Sequence, residues 1–243
     1  MFDHVAIHVA DLAASERFYR TVLVALGIES TRVADSRIEW NDFHLVAASS
    51  TNPPTGHLHV AFAAPSREQV EEFWCVGVDA GYEDDGSPGE RPQYTPSYYG
   101  AFLRDPDGNS VEAVRHDFVR GGGHIDHLWI RVRDLGAASG FYAATMRHTG
   151  LREGRCWQQG RQFRGASATF SLVADGGPAT EHLQVSFPAP TRRAVDDFYR
   201  DAIAIGGEDA GAPRERGDGA PDYAAAVLDP NGTRVESAFR QLG

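Results

Sequence analysis

Apolar and polar residues alternate from the start of the chain: Val5, Ile7 and Val9 fall on one face of a strand and His4, Ala6 and His8 on the other. The pattern then changes to a helical period, and the spacing predicts a helix capped by Asp11 and stopped at Gly27. This strand-then-helix signature returns three times. HVAFAAPSREQVEEFW, DHLWIRVRDLGAASGFY and QVSFPAPTRRAVDDFY bring Ser66, Asp134 and Thr191 to the capping position. In the same windows Phe73, Phe141 and Phe198 repeat the core position of Phe18, and Gly81, Gly150 and Gly206 mark the helix ends. Ser66 and Gln69 have the spacing of a capping box.

Further strands follow each helix, among them RIEW, FHLVAAS and SATFSLVA. Two segments are near twins: AFLRDPDGNSVEA (Ala101 to Ala113) and AAVLDPNGTRVESA (Ala225 to Ala238). Their Asp-Pro-x-Gly cores read as hairpin turns, since Pro fixes φ and Gly supplies a positive φ. In the strand each turn launches, Val111 and Ala113 face one side and Glu112 the other, an arrangement that Val235 and Glu236 repeat. The alignments run both within and between halves, so the chain reads as four related units. The glycines Gly121, Gly122 and Gly123 mark the join, giving one domain over 1–118 and a second over 124–243. The expected class is α+β.

Composition narrows the partners. The 243 residues carry a net charge of -11, with Lys and Arg outnumbered and scattered, which argues against nucleic acid as a ligand. The longest apolar runs fall short of a membrane span, and MFDHVAIHVADL lacks the basic flank and apolar core of a secretory signal, so a cytoplasmic protein is expected. Cys75 and Cys156 lie in unrelated contexts and read as structural thiols. A small molecule is the expected partner, with monomer and homodimer both open.

Four βαβββ-like units, a histidine on the first strand of a unit and DPxGxxxE before its last strand resemble the vicinal oxygen chelate superfamily. That group contains glyoxalases, extradiol dioxygenases and bleomycin-resistance proteins. The resemblance implies paired βαβββ modules curled into cup-shaped mixed sheets with the helices outside. It also implies a divalent metal held inside the cup, Fe(II) or Mn(II) in the first place, with Zn(II), Ni(II) or Co(II) as alternatives.

Carried across residue by residue, the resemblance makes His4, His59 and Glu112 the metal ligands, with a possible second set of His127, Gln184 and Glu236. His182, two residues before Gln184, lies ~6.5–7 Å away along a strand, too far to replace it without a shift of register. Some family members pair unit two with three and one with four, which would instead gather His59, Glu112 and His127. Pairing of consecutive units, and hence His4, is the expectation from short connections. His8, His57, Tyr98, Tyr99 and Phe102 are the expected substrate-pocket residues.

The family's reactions imply a metal-dependent dioxygenase, lyase or isomerase acting on a small substrate with adjacent oxygens. The alternative is a metal-free binding protein of the drug-sequestering, bleomycin-resistance type. Phe102 stands where the extradiol pattern has a tyrosine, and His44 where the glyoxalase pattern has an additional glutamate, so neither specific activity is written in full.

Overall fold

The computed structural model describes residues 2–117, 122–216 and 222–240. The first unit is β1 (His4–Val9), α1 (Leu12–Val24), β2 (Arg32–Ala34), β3 (Arg37–Trp40) and β4 (Phe43–Ala47). The second is β5 (His59–Ala63), α2 (Arg67–Asp79), β6 (Asp84–Glu90), β7 (Tyr99–Arg104) and β8 (Ser110–Arg115). The third comprises β9 (Ile125–Arg131), α3 (Leu135–Thr145), β10 (Arg152–Trp157), β11 (Gly160–Arg164) and β12 (Thr169–Val173). The fourth comprises β13 (Leu183–Pro188), α4 (Arg192–Ala204), β14 (Glu208–Arg216), β15 (Asp222–Leu228) and β16 (Arg234–Arg240).

Each helix begins where the sequence places it. Asp11, Ser66, Asp134 and Thr191 all accept a hydrogen bond from the backbone N–H three residues on. The capping box at Ser66 is only half made, because the Gln69 amide donates to the carbonyl of Ala25 at the end of α1 rather than folding back.

The eight-stranded sheets have the orders β14-β15-β16-β13-β1-β4-β3-β2 and β10-β11-β12-β9-β5-β8-β7-β6. Units one and four therefore share the first sheet, and units two and three the second. This corrects the expectation that 1–118 and 124–243 each build a sheet of their own. The segment 116–124 between β8 and β9 is no longer than the segment 48–58 between β4 and β5, so connection length does not favour consecutive units. Of the triglycine join, Gly122 and Gly123 are described and Gly121 lies outside the described residues.

The apolar faces of the two sheets look toward each other and share one core. Phe43 of β4 meets Phe62 of β5 edge-on at 5.1 Å, and Phe170 of β12 meets Phe187 of β13 at 6.1 Å. Phe18, Phe73, Phe141 and Phe198 of the four helices are wholly buried, as their pattern predicts. The opposite faces of the sheets carry His59, Glu112 and His127 in the second sheet and His4, Gln184 and Glu236 in the first. Among the described residues no helix is long and apolar enough to cross a membrane.

Units adjacent in sequence remain tied by their helices and turns. The Tyr19 hydroxyl of α1 donates to Asp105 Oδ2 at 2.9 Å, and the Tyr142 hydroxyl of α3 donates to Asp229 Oδ2 at 2.9 Å. Asp105 Oδ1 accepts the N–H groups of Asp107 and Asn109, closing a turn in which Gly108 has a φ of 82°. The repeated aspartate is thus a buried clamp between units as well as a turn former. Tyr19→Phe removes one hydrogen bond to a buried acid and is expected to cost about 1–2 kcal/mol. Asp105→Ala, which strands several donors, is expected to cost about 3 kcal/mol or more by urea denaturation; equal losses would refute the clamp.

Candidate metal centre

β5 and β9 run antiparallel side by side, with His59 opposite Trp129 and Ala61 opposite His127. On the other edge of β5, Ala61 is level with Glu112 of β8. Side chains level with one another across a sheet share a face, so His127 and Glu112 flank the small Ala61 and His59 closes the triangle. His59 Nε2 is 3.2 Å from His127 Nε2 and 3.1 Å from Glu112 Oε2, and His127 Nε2 is 3.4 Å from the same oxygen. Among the described residues this is the one group of three or more such side chains close enough to hold an ion.

The surrounding hydrogen bonds decide where the ring protons lie. Ser110 Oγ donates to Asp85 Oδ2 at 2.7 Å, so it accepts from His59 Nδ1 at 3.1 Å and leaves His59 Nε2 with its lone pair toward Glu112. His127 Nδ1 donates to Asp126 Oδ1 at 2.8 Å, which aims its Nε2 at the same point. Asp126 is itself within 3.2 Å of His116 Nε2. On the far side, the Tyr98 hydroxyl donates to Glu112 Oε1 at 2.6 Å and leaves Oε2 for the imidazoles. Gly100 makes room for this contact: a Cβ there would meet Glu112 Oε1 at 2.6 Å.

Burial opposes ionisation throughout the cluster, and its partners resist it unequally. Burial pushes His59 down, keeping it neutral despite Glu112. For His127 burial is outweighed by the carboxylates of Asp126 and Glu112, which raise it to about 9. Glu112 is likewise desolvated, yet the hydrogen bond and charge of His127 hold it at about 2. Burial, together with the Glu112 charge, raises the Tyr98 phenol far above its ordinary range, so it remains a donor.

The donor set fits a divalent ion. Ligand atoms bonded to one ion at ~2.0–2.2 Å, at octahedral or tetrahedral angles, lie about 2.8–3.6 Å apart, and all three separations fall in that range. Register identifies a fourth inward position. The relation that carries His59 onto His127 carries Glu112 onto Ser171 of β12, which is level with Trp129. Two imidazoles, one carboxylate and a small hydroxyl leave coordination positions open toward the cavity.

The other expected site residues divide. His4 is not with His59 and Glu112: it belongs to the first sheet, where its Nδ1 contacts Asp3 Oδ2 at 2.8 Å and its Nε2 lies 3.5 Å from Gln184 Nε2. The pairing that excludes His4 admits His127, so the set His127, Gln184 and Glu236 is also divided between sheets. In the first sheet His4, Gln184, His44 and Glu236 take the equivalent positions. His44 is turned to Arg37 and the Asn41 carbonyl, and Glu236 accepts from Ser186.

Phe102 and Tyr98 do line the cavity at the triad. Tyr99 points away and donates to Glu71 of α2. His8 contacts the His182 carbonyl in the first sheet, and His57 holds a backbone φ of 59° outside the site. Trp129, Asp126 and Ser171 were not singled out by sequence. The alternation DHLWI placed Trp129 in phase with His127, a signal that was available.

The family model for the Glyoxalase/Bleomycin resistance protein/Dioxygenase superfamily matches residues 1–113. An uncharacterised Bacillus subtilis protein, YqjT, is 32% identical over 130 residues, covering 46% of this chain and 95% of its own length. The crystal structure of glyoxalase I from Zea mays superposes with a TM-score of 0.69 at 17% identity, over 98% of this chain and 92% of that one. A mutant form of the maize enzyme gives a TM-score of 0.71 at 17% identity, with the same coverage. At that identity the likeness establishes the fold.

The raised His127 has a consequence for metal-free protein. Its stabilising contribution is complete below its ordinary value of 6.5 and is lost as pH rises through about 9. Glu112 contributes above 4.5 and loses its contribution as pH falls toward about 2. Denaturation midpoints of chelator-treated protein are therefore expected to fall between pH 7 and 10, and this fall is expected to flatten in His127→Gln. An unchanged slope in the variant would contradict the assignment.

Proposed function

Because the chain belongs to the glyoxalase/bleomycin resistance protein/dioxygenase superfamily, we propose that the triad is a divalent-metal centre acting on a small substrate with adjacent oxygens, in a dioxygenase, lyase or isomerase reaction. The observation that carries this reading is the convergence of three potential ligand atoms, His59 Nε2, His127 Nε2 and Glu112 Oε2, on one buried point. The proton on His127 Nε2 can bridge one pair of them at a time. A cation satisfies all three. Fe(II) and Mn(II) suit two nitrogens and one oxygen with open positions, and Zn(II), Ni(II) and Co(II) are the alternatives.

When bound, a divalent ion carrying one carboxylate keeps a net positive charge and polarises substrate oxygens as a Lewis acid. The chain's own residues supply the rest. Asp126 and the Ser110–Asp85 pair fix the two rings in the tautomers that present Nε2 inward. Tyr98 holds one Glu112 oxygen and so fixes the direction of the other. Phe102 and Trp129, at 6.0 Å and 5.8 Å from the His59 ring, wall the site with apolar surface that limits water. A purely sequestering protein would use the same aromatic cavity and would not need the convergent ligand atoms.

Protein reconstituted anaerobically with Fe(II) or Mn(II) and desalted is expected to retain about one ion per chain. His59→Ala, His127→Ala and Glu112→Ala are expected to abolish retention and His4→Ala to preserve it, read by elemental analysis. Loss in His4→Ala with retention in His127→Ala would overturn the ligand set, and no metal under any condition would leave the binding-protein reading. Asp126→Asn is expected to weaken metal affinity roughly 10–100-fold while leaving the circular dichroism spectrum unchanged.

A further inference from the structure

Beside the triad, the same face of the second sheet opens into a larger cavity of about 610 Å³. It shares Tyr94, Tyr98, His127 and Trp129 with the compartment of about 210 Å³ that contains His59 and Glu112. The volume is that of a pocket for a small organic ligand. We infer that this cavity is a subsite for a planar aromatic ligand bearing a carboxylate, and that Arg155 and Arg164 select the carboxylate. The inference rests on the reading that the cup is the ligand site, and it adds the chemical class of what enters.

The aromatic part follows from the walls. Trp129 lies 6.1 Å from the His127 ring and 5.9 Å from Tyr94, nearly perpendicular to the latter. Trp157 continues the row at 6.5 Å from Trp129. Trp157 and Tyr94 are 38% and 37% exposed, so large apolar rings face water at the mouth of a concavity. A flat ring entering between them removes that surface from water and meets ring faces and edges suited to stacking.

The anionic part follows from charge. The chain carries a net charge of -11, yet the ionised side chains that face this cavity unneutralised are cationic. Arg155 donates to the Tyr94 carbonyl at 3.4 Å and Arg164 to Gln162 Oε1 at 3.0 Å, both neutral acceptors. Among the described residues neither guanidinium is within ion-pair distance of a carboxylate, whereas Arg131 nearby pairs with Asp175 at 3.1 Å. The one carboxylate in the wall, Asp126, is buried and occupied by His127 and His116. Ser171 Oγ, in the same wall, is fully buried and has no hydrogen-bond partner among the described residues. A guanidinium pair and an unsatisfied hydroxyl together form a donor set for a carboxylate.

The test uses 2-naphthoate and its neutral isostere 2-naphthamide as probes, followed by tryptophan fluorescence and calorimetry. Metal-reconstituted wild-type protein is expected to bind the naphthoate at least about tenfold tighter than the amide. The Arg155→Gln/Arg164→Gln variant is expected to lose this preference while its affinity for the amide holds, which also reports that the cavity is intact. Glu112→Ala, measured without metal, is expected to keep the preference, so this result stands apart from whether a metal binds. Equal affinities in the wild type, or a preference that survives in the arginine variant, would overturn the subsite. A preference lost in Glu112→Ala but kept in the arginine variant would put the carboxylate on the metal instead and overturn it equally.

Discussion

The antiparallel pairing of β5 with β9 is the constraint on which the site depends. Strand pairing fixes side chains to a face with a period of two, and a shift of one residue would send His127 into the core and Leu128 into the cavity. With Ala61 opposite His127, the histidine and Glu112 are separated across the sheet by a methyl group alone. Leu128 and Ile130 on the other face are wholly buried against the shared core, so the apolar pattern enforces the register that the polar residues require. Packing and chemistry are thus two readings of one alternation.

The first sheet shows what happens when the same frame is filled differently. The row His127–Ala61–Glu112 becomes His4–Ser186–Glu236, and the Ser186 hydroxyl donates to Glu236 Oε1 at 3.1 Å from a position that the methyl group of Ala61 holds in the second sheet. The position of His59 is held by Gln184, and that of Gly100 by Ala224, whose Cβ takes the space used by the Tyr98–Glu112 contact. His44 is neutral, its basicity lowered to about 3 by burial and by His4 and Arg37. Both its nitrogens are engaged. The backbone frame alone therefore does not make a converging cluster; the inward side chains and their supports do.

Much of this was legible in the chain because it is written in local pattern. The caps at Asp11, Ser66, Asp134 and Thr191, the helix-terminating glycines and the buried phenylalanines each follow from a few adjacent residues. His59 and Glu112 were readable for a related reason: they lie in one unit, on strands whose phase is set by Val60, Phe62, Val111 and Ala113. The third member of the cluster was not, since the presence of His127 rather than His4 beside them depends on which unit edge meets β5. Nothing within either strand decides that. Asp105 shows the same boundary, since its turn is evident from Pro106 and Gly108 and its bond to Tyr19, 86 positions away, is not.

The same distinction explains why the site can be both buried and charged. Glu112 is 1% exposed and would be driven toward its neutral form by burial alone. Its charge persists because Tyr98, His59 and His127 come from three different segments and each directs a polar atom at it. His127 is in turn kept basic by Asp126, a residue whose neighbour relation is local but whose second partner, His116, comes from the segment after β8. Removing any one of these supports leaves the others desolvated without compensation, so the cluster is stable as a complete set and unfavourable as a fragment. That all-or-none character follows from low dielectric, and it distinguishes the second sheet, where every inward polar group of the triad has a directed partner, from the first, where His44 and Glu236 have turned to neighbours of their own.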